Sequence, residues 1–268
     1  MTTHAEQFHR LHAGPELLIL ANAWDAASAR VIESLGARAI ATTSAGVAWT
    51  HGYPDGDALP LDALVASVRA IARVIRVPLS VDFEGGYSQD PAIVADKIAA
   101  IIDAGAVGIN LEDAAGGAEL LARKITAVKS AAARRGVNLF VNARTDVYLR
   151  ALAPEADRVA ETLARAARYR DAGADGIFVP RAIAPDEIRA LVAGVGLPLN
   201  LLATPRLPPA AELTALGVRR LSAGSGLAQG AWGRTVATTR AFLADGRSEP
   251  LAEGVLPYAE LNALFTAR

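Results

Sequence analysis

Apolar and polar positions along the chain fall into one repeated unit. Four segments read nearly alike: Leu35-Gly36-Ala37-Arg38-Ala39-Ile40, Ala104-Gly105-Ala106-Val107-Gly108-Ile109, Ala172-Gly173-Ala174-Asp175-Gly176-Ile177 and Leu216-Gly217-Val218-Arg219-Arg220-Leu221. In each, an Ala-rich stretch of helical spacing stops at a Gly, which can close a helix in the left-handed conformation without a Cβ clash. An apolar run then opens within a few residues. Runs beginning at Val77-Pro78-Leu79, Val137-Asn138-Leu139 and Leu197-Pro198-Leu199 start on a similar cue, and Leu17 to Leu20 makes the eighth. The pattern predicts strands near 17–22, 39–43, 78–82, 107–112, 138–144, 176–180, 198–203 and 218–222. Between them Ala95, Ile98, Ala99 and Ile102 stand at i, i+3, i+4 and i+7, the spacing of an amphipathic helix. Val159, Leu163, Ala166 and Ala167 repeat it closely.

Short, almost wholly apolar strands suit a parallel sheet buried on both faces. Eight of them alternating with helices predict a (β/α)8 TIM barrel. The rival, a doubly wound open sheet, would carry a Gly-rich dinucleotide turn after its first strand, and this chain has none there. The expected organisation is one barrel domain over residues 1–268. Residues 249–268 form a C-terminal helical extension, whose Leu251, Val255, Leu256, Leu261, Leu264 and Phe265 call for a covering surface.

Composition narrows the functional classes. The chain has 268 residues, 52% of them hydrophobic and only 5% aromatic, so its core is aliphatic and small-residue. Lys and Arg number 27 against 28 Asp and Glu, giving a net charge of −1. That balance argues against nucleic-acid or anionic-membrane partners, which need a clustered positive excess. The absence of Cys removes disulfides, zinc–thiolate sites and a catalytic thiol. With a polar N-terminus and no apolar run of membrane-spanning length, the expectation is a soluble cytoplasmic protein.

A barrel carries its active site on the loops that follow the C-terminal strand ends. Strand two runs into Thr43-Ser44-Ala45-Gly46 and a long loop through His51-Gly52-Tyr53-Pro54-Asp55-Gly56. Strand three ends in Asp82-Phe83-Glu84-Gly85-Gly86-Tyr87, strand four in Asn110-Leu111-Glu112-Asp113 and strand five in Asn142-Ala143-Arg144-Thr145-Asp146. If strand geometry persists, Asp82 and Glu84 share a face, about 6–7 Å apart, and Glu112 joins them from the next strand. Three converging acids repel one another unless a cation sits among them, and a hard divalent ion with oxygen ligands meets that need. Asp82 is the expected direct ligand, with Glu84 and Glu112 acting largely through water. Arg144 either clamps a substrate carboxylate or pairs with Glu112 as a structural bridge. Asp90, before Pro91, is a helix cap.

At these residues the chain resembles the isocitrate lyase/phosphoenolpyruvate mutase superfamily. The likeness spans most of 17–180. Its motifs are Asn22-Ala23-Trp24-Asp25-Ala26-Ala27-Ser28-Ala29-Arg30, Ser44-Ala45-Gly46, Gly52-Tyr53-Pro54-Asp55, Pro78 to Tyr87, Gly108 to Asp113 and Ala143 to Asp146. The resemblance implies a Mg²⁺-dependent barrel (Mn²⁺ being an alternative) that makes or breaks C–C or P–C bonds beside a small oxo-acid. Ser44, Ala45 and Gly46 would then offer donors to the substrate, Asp55 would lie near the reacting group, and Asn142, Asp82 and Arg144 would complete substrate binding. Asp82, Glu84 and Glu112 would hold the metal, with Glu84 standing where the family usually has Asp. The implied activity is carbon–carbon cleavage of an isocitrate-, methylisocitrate- or oxaloacetate-like acid through an enolate. The alternatives are a phosphoenolpyruvate or phosphonopyruvate mutase or hydrolase, a metal-dependent pyruvate aldolase, and a 2-oxo-acid-binding barrel with little catalysis. A homo-oligomer, tetramer or dimer, with exchanged terminal helices is also implied.

The chain departs from the family after strand four. Family lyases carry a long lid there with a catalytic Cys, and mutases one with Lys and Asn. Here Asp113 is followed by Ala114-Ala115-Gly116-Gly117-Ala118-Glu119 and then a helical pattern. Tyr87, His51 and Tyr148 are the candidates to replace the missing acid. Past residue 180 the likeness thins: Arg181 either binds an additional acidic group or pairs at the surface. Ser222-Ala223-Gly224-Ser225-Gly226 either cradles a phosphate or makes a tight entry into the last helix.

Overall fold

The β-branched and Leu-rich runs between helix-closing glycines become strands because both of their faces are covered. In the computed structural model, residues 2–114 and 116–266 are described. Nine strands occur among them: β1 Leu18–Leu20, β2 Asn22–Ala23, β3 Ile40–Thr42, β4 Leu79–Asp82, β5 Gly108–Glu112, β6 Phe140–Arg144, β7 Gly176–Phe178, β8 Leu199–Leu202 and β9 Arg220–Ser222. All pair in parallel, in the order β1-β9-β8-β7-β6-β5-β4-β3-β2. Because β1 and β2 are the two halves of the expected first strand, separated at Ala21, this order is that of a nearly closed (β/α)8 barrel.

Among the described residues, twelve α-helices accompany the strands: α1 His4–Ala13, α2 Ala26–Ser34, α3 Ser44–Thr50, α4 Leu61–Val74, α5 Pro91–Asp103, α6 Gly117–Arg134, α7 Arg158–Asp171, α8 Pro185–Val195, α9 Ala210–Leu216, α10 Gly226–Asp245, α11 Glu249–Ala252 and α12 Tyr258–Thr266. The principal core lies between the strands and the helices that wrap them, with Val68, Ile71, Val81, Ile98, Ile109, Val141 and Leu191 at its centre. Asp90 caps α5 through Ala92 N. No described helix is long and apolar enough to cross a membrane.

Two elements were not anticipated. Helix α1 opens with a capping box, Thr3 Oγ1 accepting from Glu6 N and Glu6 Oε2 from Thr3 N. It presses Phe8 and His12 against Phe140 at the end of the barrel remote from the active-site loops. Gly108 makes that approach possible, since a Cβ there would stand 2.5 Å from Phe8 Cε1. Helix α3 begins at once after β3, so the segment after strand two is a helix followed by a loop rather than one long loop.

The expected single C-terminal helix is two, α11 and α12, because Gly254 takes φ +57° and Pro257 precedes the second start. Helix α12 packs on α2, where Arg30 Nε donates to Leu264 O at 2.8 Å. The last two residues of the extension, 267–268, lie outside the described residues.

Candidate active site

Parallel pairing brings Asp82 opposite Asn110, Asn110 opposite Asn142 and Glu112 opposite Arg144. Above this layer, at the strand ends, lies a cavity of about 130 Å³. Its wall includes Ser44, Ala45, Asp55, Asp82, Asn110 and Arg144, closed on the far side by Ser222, Gly224 and Ser225. Asp82 is fixed from three directions. Ser44 donates to its Oδ2 through both N (3.2 Å) and Oγ (2.9 Å), Asn110 Nδ2 lies 3.4 Å from its Oδ1, and Asp82 N donates to Thr42 Oγ1. The Ser44 donors reach the carboxylate because α3 starts at that residue, exposing the first unpaired N–H groups of a helix. Gly46 has no room for a side chain: a Cβ would fall 2.7 Å from Trp24 Cβ and 2.8 Å from Thr43 Cγ2.

Glu84 does not share Asp82's face. Strand β4 ends at Asp82, and Glu84 adopts φ +48°, a left-handed conformation that breaks the two-residue alternation. Its carboxylate turns to the neighbouring loop instead, with Oε2 accepting from Gly56 N and Asp57 N and Oε1 from the Tyr87 hydroxyl at 2.6 Å. Glu84 and Glu112 both line a second cavity of about 420 Å³, with Asp57, Lys124 and Arg150. Between the cavities stands Arg144, whose Nη1 lies 2.7 Å from Glu112 Oε2 and whose Nε lies 2.7 Å from Asp146 Oδ1. Asp146 N in turn donates to Asp113, which also takes the Tyr169 hydroxyl and Arg165.

The acids sense one another. Burial pushes Glu112 up to about 8; Arg144 pulls it down, while Asp82, Asp146 and Glu84 push it further up. Glu84 is likewise raised, first by burial, and Arg144 is raised because Glu112 and Asp146 outweigh its own burial. No group of three or more His, Asp or Glu among the described residues is placed to ligate one ion directly. Of the three expected acids only Asp82 lines the smaller cavity, while Glu84 and Glu112 face the larger one and influence Asp82 through their charge; a single carboxylate fits Mg²⁺, which keeps several waters.

The remaining expected residues divide. Asp55 is exposed at the rim of the smaller cavity. His51 faces away from it, its Nε2 2.7 Å from Ser67 Oγ on α4. Tyr87 lines neither cavity and spends its hydroxyl on Glu84, and Tyr148 is buried beneath Arg158. Asn142 is buried within the barrel, donating to Asn110 Oδ1 at 2.9 Å, and lines neither cavity. Arg181 is exposed with φ +70°. Helix α6 starts at Gly117, leaving no length for a long lid after β5; Ala115 lies outside the described residues. Asn22 and Asn110 also line the smaller cavity without having been singled out, their signal being a polar side chain inside or at the end of an otherwise apolar strand, and Ser222, Gly224 and Ser225 of the Gly-rich segment line it too.

A parallel barrel with a carboxylate, a guanidinium and a helix N-terminus around a small cavity is an arrangement that can bind a small acid. The chain matches the family model for phosphoenolpyruvate phosphomutase over residues 8–243. A crystallised candidate phosphonomutase from Burkholderia cenocepacia J2315 is 40% identical, covering 89% of this chain and 100% of that one, with a TM-score of 0.85. Probable 2-methylisocitrate lyase 2 of Corynebacterium glutamicum is 30% identical, covering 70% of this chain and 62% of that protein. Oxaloacetate decarboxylase of Bradyrhizobium sp. is 30% identical over 68% of this chain and 65% of its own length. The chain belongs to the phosphoenolpyruvate mutase family, whose members are lyases and mutases of small carboxylates.

Proposed function

We propose that the protein is a Mg²⁺-dependent carbon–carbon lyase that opens a small 2-hydroxy- or 2-oxo-dicarboxylate through an enolate, releasing a 2-oxo acid. The observation that carries this reading is Asp82, held by Ser44 and Asn110 at the base of a cavity of about 130 Å³ with Arg144 on its wall. That space equals roughly four waters at about 30 Å³ each, which suits a small acid. The relatives named for methylisocitrate and oxaloacetate support the substrate class.

Asp82 would hold the cation, which would supply Lewis-acid polarisation of the substrate's C2 oxygen, while Glu84 and Glu112, facing the neighbouring cavity, would add negative field around it. Arg144 binds a carboxylate or the developing enolate oxygen with a planar fork of donors, and Ser44 N–H and Oγ turn part of their hydrogen bonding to the substrate. For a 2-hydroxy acid, Asp55 takes the hydroxyl proton as the C–C bond breaks, the bond's electron pair passes into the enolate, and Asp55 returns a proton to the enolate carbon. Tyr87 positions Glu84 and is not itself the acid.

The test is release of 2-oxo acid from isocitrate, methylisocitrate and oxaloacetate, with Mg²⁺ and with a chelator. Phosphonopyruvate belongs in the same assay, because the Burkholderia relative and the Ser222-Gly224-Ser225 wall favour a P–C reaction as the second reading; phosphate release would select it. A homo-oligomer is part of this proposal, supported by the exposed Leu251, Val255, Leu256 and Tyr258 of the C-terminal segment, and light scattering on the purified chain tests it.

A further inference from the structure

Arg220 is the largest fully buried side chain among the described residues, and it stands inside the barrel on β9, where the sequence pattern calls for an apolar residue. Its Nε donates to Ser222 Oγ at 3.1 Å and its Nη2 to Asn110 Oδ1 at 3.3 Å, while Nη1 has no protein partner. A buried guanidinium without a carboxylate in contact is costly, so its retention asks for a reason. The nearest opposite charge that it senses is Asp82. Between the two lies one residue, Asn110.

Asn110 receives two donors on Oδ1, from Arg220 and from Asn142 Nδ2 at 2.9 Å, and gives Nδ2 to Asp82. The Asn110–Asn142 pair alone does not decide this orientation, since two amides can exchange donor and acceptor ends by turning together. Arg220 has donors only. It therefore compels Asn110 to show it oxygen, which leaves the amide N–H₂ for Asp82.

We infer that Arg220 is a positioning residue which, through Asn110, aims the Asp82 carboxylate into the cavity. This rests on the reading of Asp82 as the acid that receives the cation. Partners that orient a ligating carboxylate act from behind the metal and change affinity without touching it. Ser222 ties the other branch of the fork to Asn200 Oδ1, so the guanidinium cannot swing away.

The test uses the full chain with Arg220→Met, which keeps volume without charge, Asn110→Ala, and the double variant. The expected crystal structure of Arg220→Met shows the Asn110 amide turned and its contact with Asp82 lost. Mn²⁺ affinity by calorimetry is expected to fall about tenfold in each single variant, and no further in the double one, because both changes cut one chain of contacts. An Asn110–Asp82 contact retained in Arg220→Met, or losses that add in the double variant, would overturn the inference. If the unmodified chain takes up no Mn²⁺, the proposed function fails, and the Asn110 geometry decides the Arg220 inference by itself. Should Arg220→Met not fold, Arg220→Gln replaces it: an amide can show Asn110 either a donor or an acceptor and so no longer compels its orientation, and the same two readouts apply.

Discussion

Arg144 Nη1 lies 2.7 Å from Glu112 Oε2, and this ion pair is the partition between the cavity that holds Asp82 and the one that holds Glu84. The guanidinium thus makes a structural bridge and at the same time lines the smaller cavity, which leaves room for the proposed clamp. A bound substrate acid would compete with Glu112 and Asp146 for the same five donors.

Replacement of Arg144 by Lys therefore separates the two roles. A Lys keeps one charge for Glu112 but loses the fork needed to serve a substrate as well. The expected result is a rise in KM with a loss of at least about tenfold in kcat/KM, and a melting temperature near that of the unmodified chain. Arg144→Ala leaves Glu112 without its cation, while Asp146 keeps Arg150, and is expected to cost about 3–5 kcal/mol of stability. Steady-state kinetics and thermal melts of both variants check this.

Gly46 is a packing requirement of the site. Adding one methyl at Gly46 meets Trp24 Cβ and Thr43 Cγ2, neither of which is a flexible side-chain end. Gly46→Ala is expected to destabilise by about 1–3 kcal/mol and to disturb Ser44, two residues earlier in the same helix. Urea unfolding measures the first effect, and a raised KM the second.

Stability should depend on pH through His12. Burial, reinforced by the Arg220 charge, pushes His12 down to about 3, although Nδ1 donates to Phe8 O at 2.8 Å. The unfolded chain binds a proton at this residue below about 6.5, whereas the native state resists until about 3. The contribution is fully present above 6.5 and is lost as pH falls through that window, by up to ~1.4 kcal/mol per pH unit. His12→Phe, which keeps a ring stacked on Phe140, is expected to flatten the fall in unfolding free energy between pH 7 and 5. Equal slopes in the two proteins would contradict the assignment.

Much of this architecture was legible because it rests on local rules. Helix-closing glycines such as Gly105, Gly173 and Gly217 mark where strands begin, and all eight expected strands are present within a residue or two. Asp82, Glu112 and Arg144 were legible as strand-end residues because parallel registry carries strand ends to one rim. Glu84 misled, since the two-residue period was extended past the last strand residue into a left-handed turn. His51 misled as well: the length of its loop gave reach, but α4 supplied a nearer partner in Ser67. Arg220 was hidden by its type, for a charged residue within an apolar run is assumed to face water, and only the interior layer of Asn110, Asn200 and Ser222 explains its burial. Helix α1 left a signal in Thr3 and Glu6 that the polar N-terminus obscured.

Asp82→Asn addresses the acid on which the chemistry depends. The amide keeps the shape of the carboxylate while removing its charge, and Ser44 and Asn110 still surround it. The most direct measurement is the rate of 2-oxo acid release from the dicarboxylate panel by the unmodified chain and by Asp82→Asn, each with Mg²⁺ and with chelator. The account predicts turnover only for the unmodified chain with Mg²⁺, and a loss of about a thousandfold or more in the variant, corresponding to ~4 kcal/mol of transition-state stabilisation. Turnover that survives chelation, or that Asp82→Asn leaves intact, would contradict it.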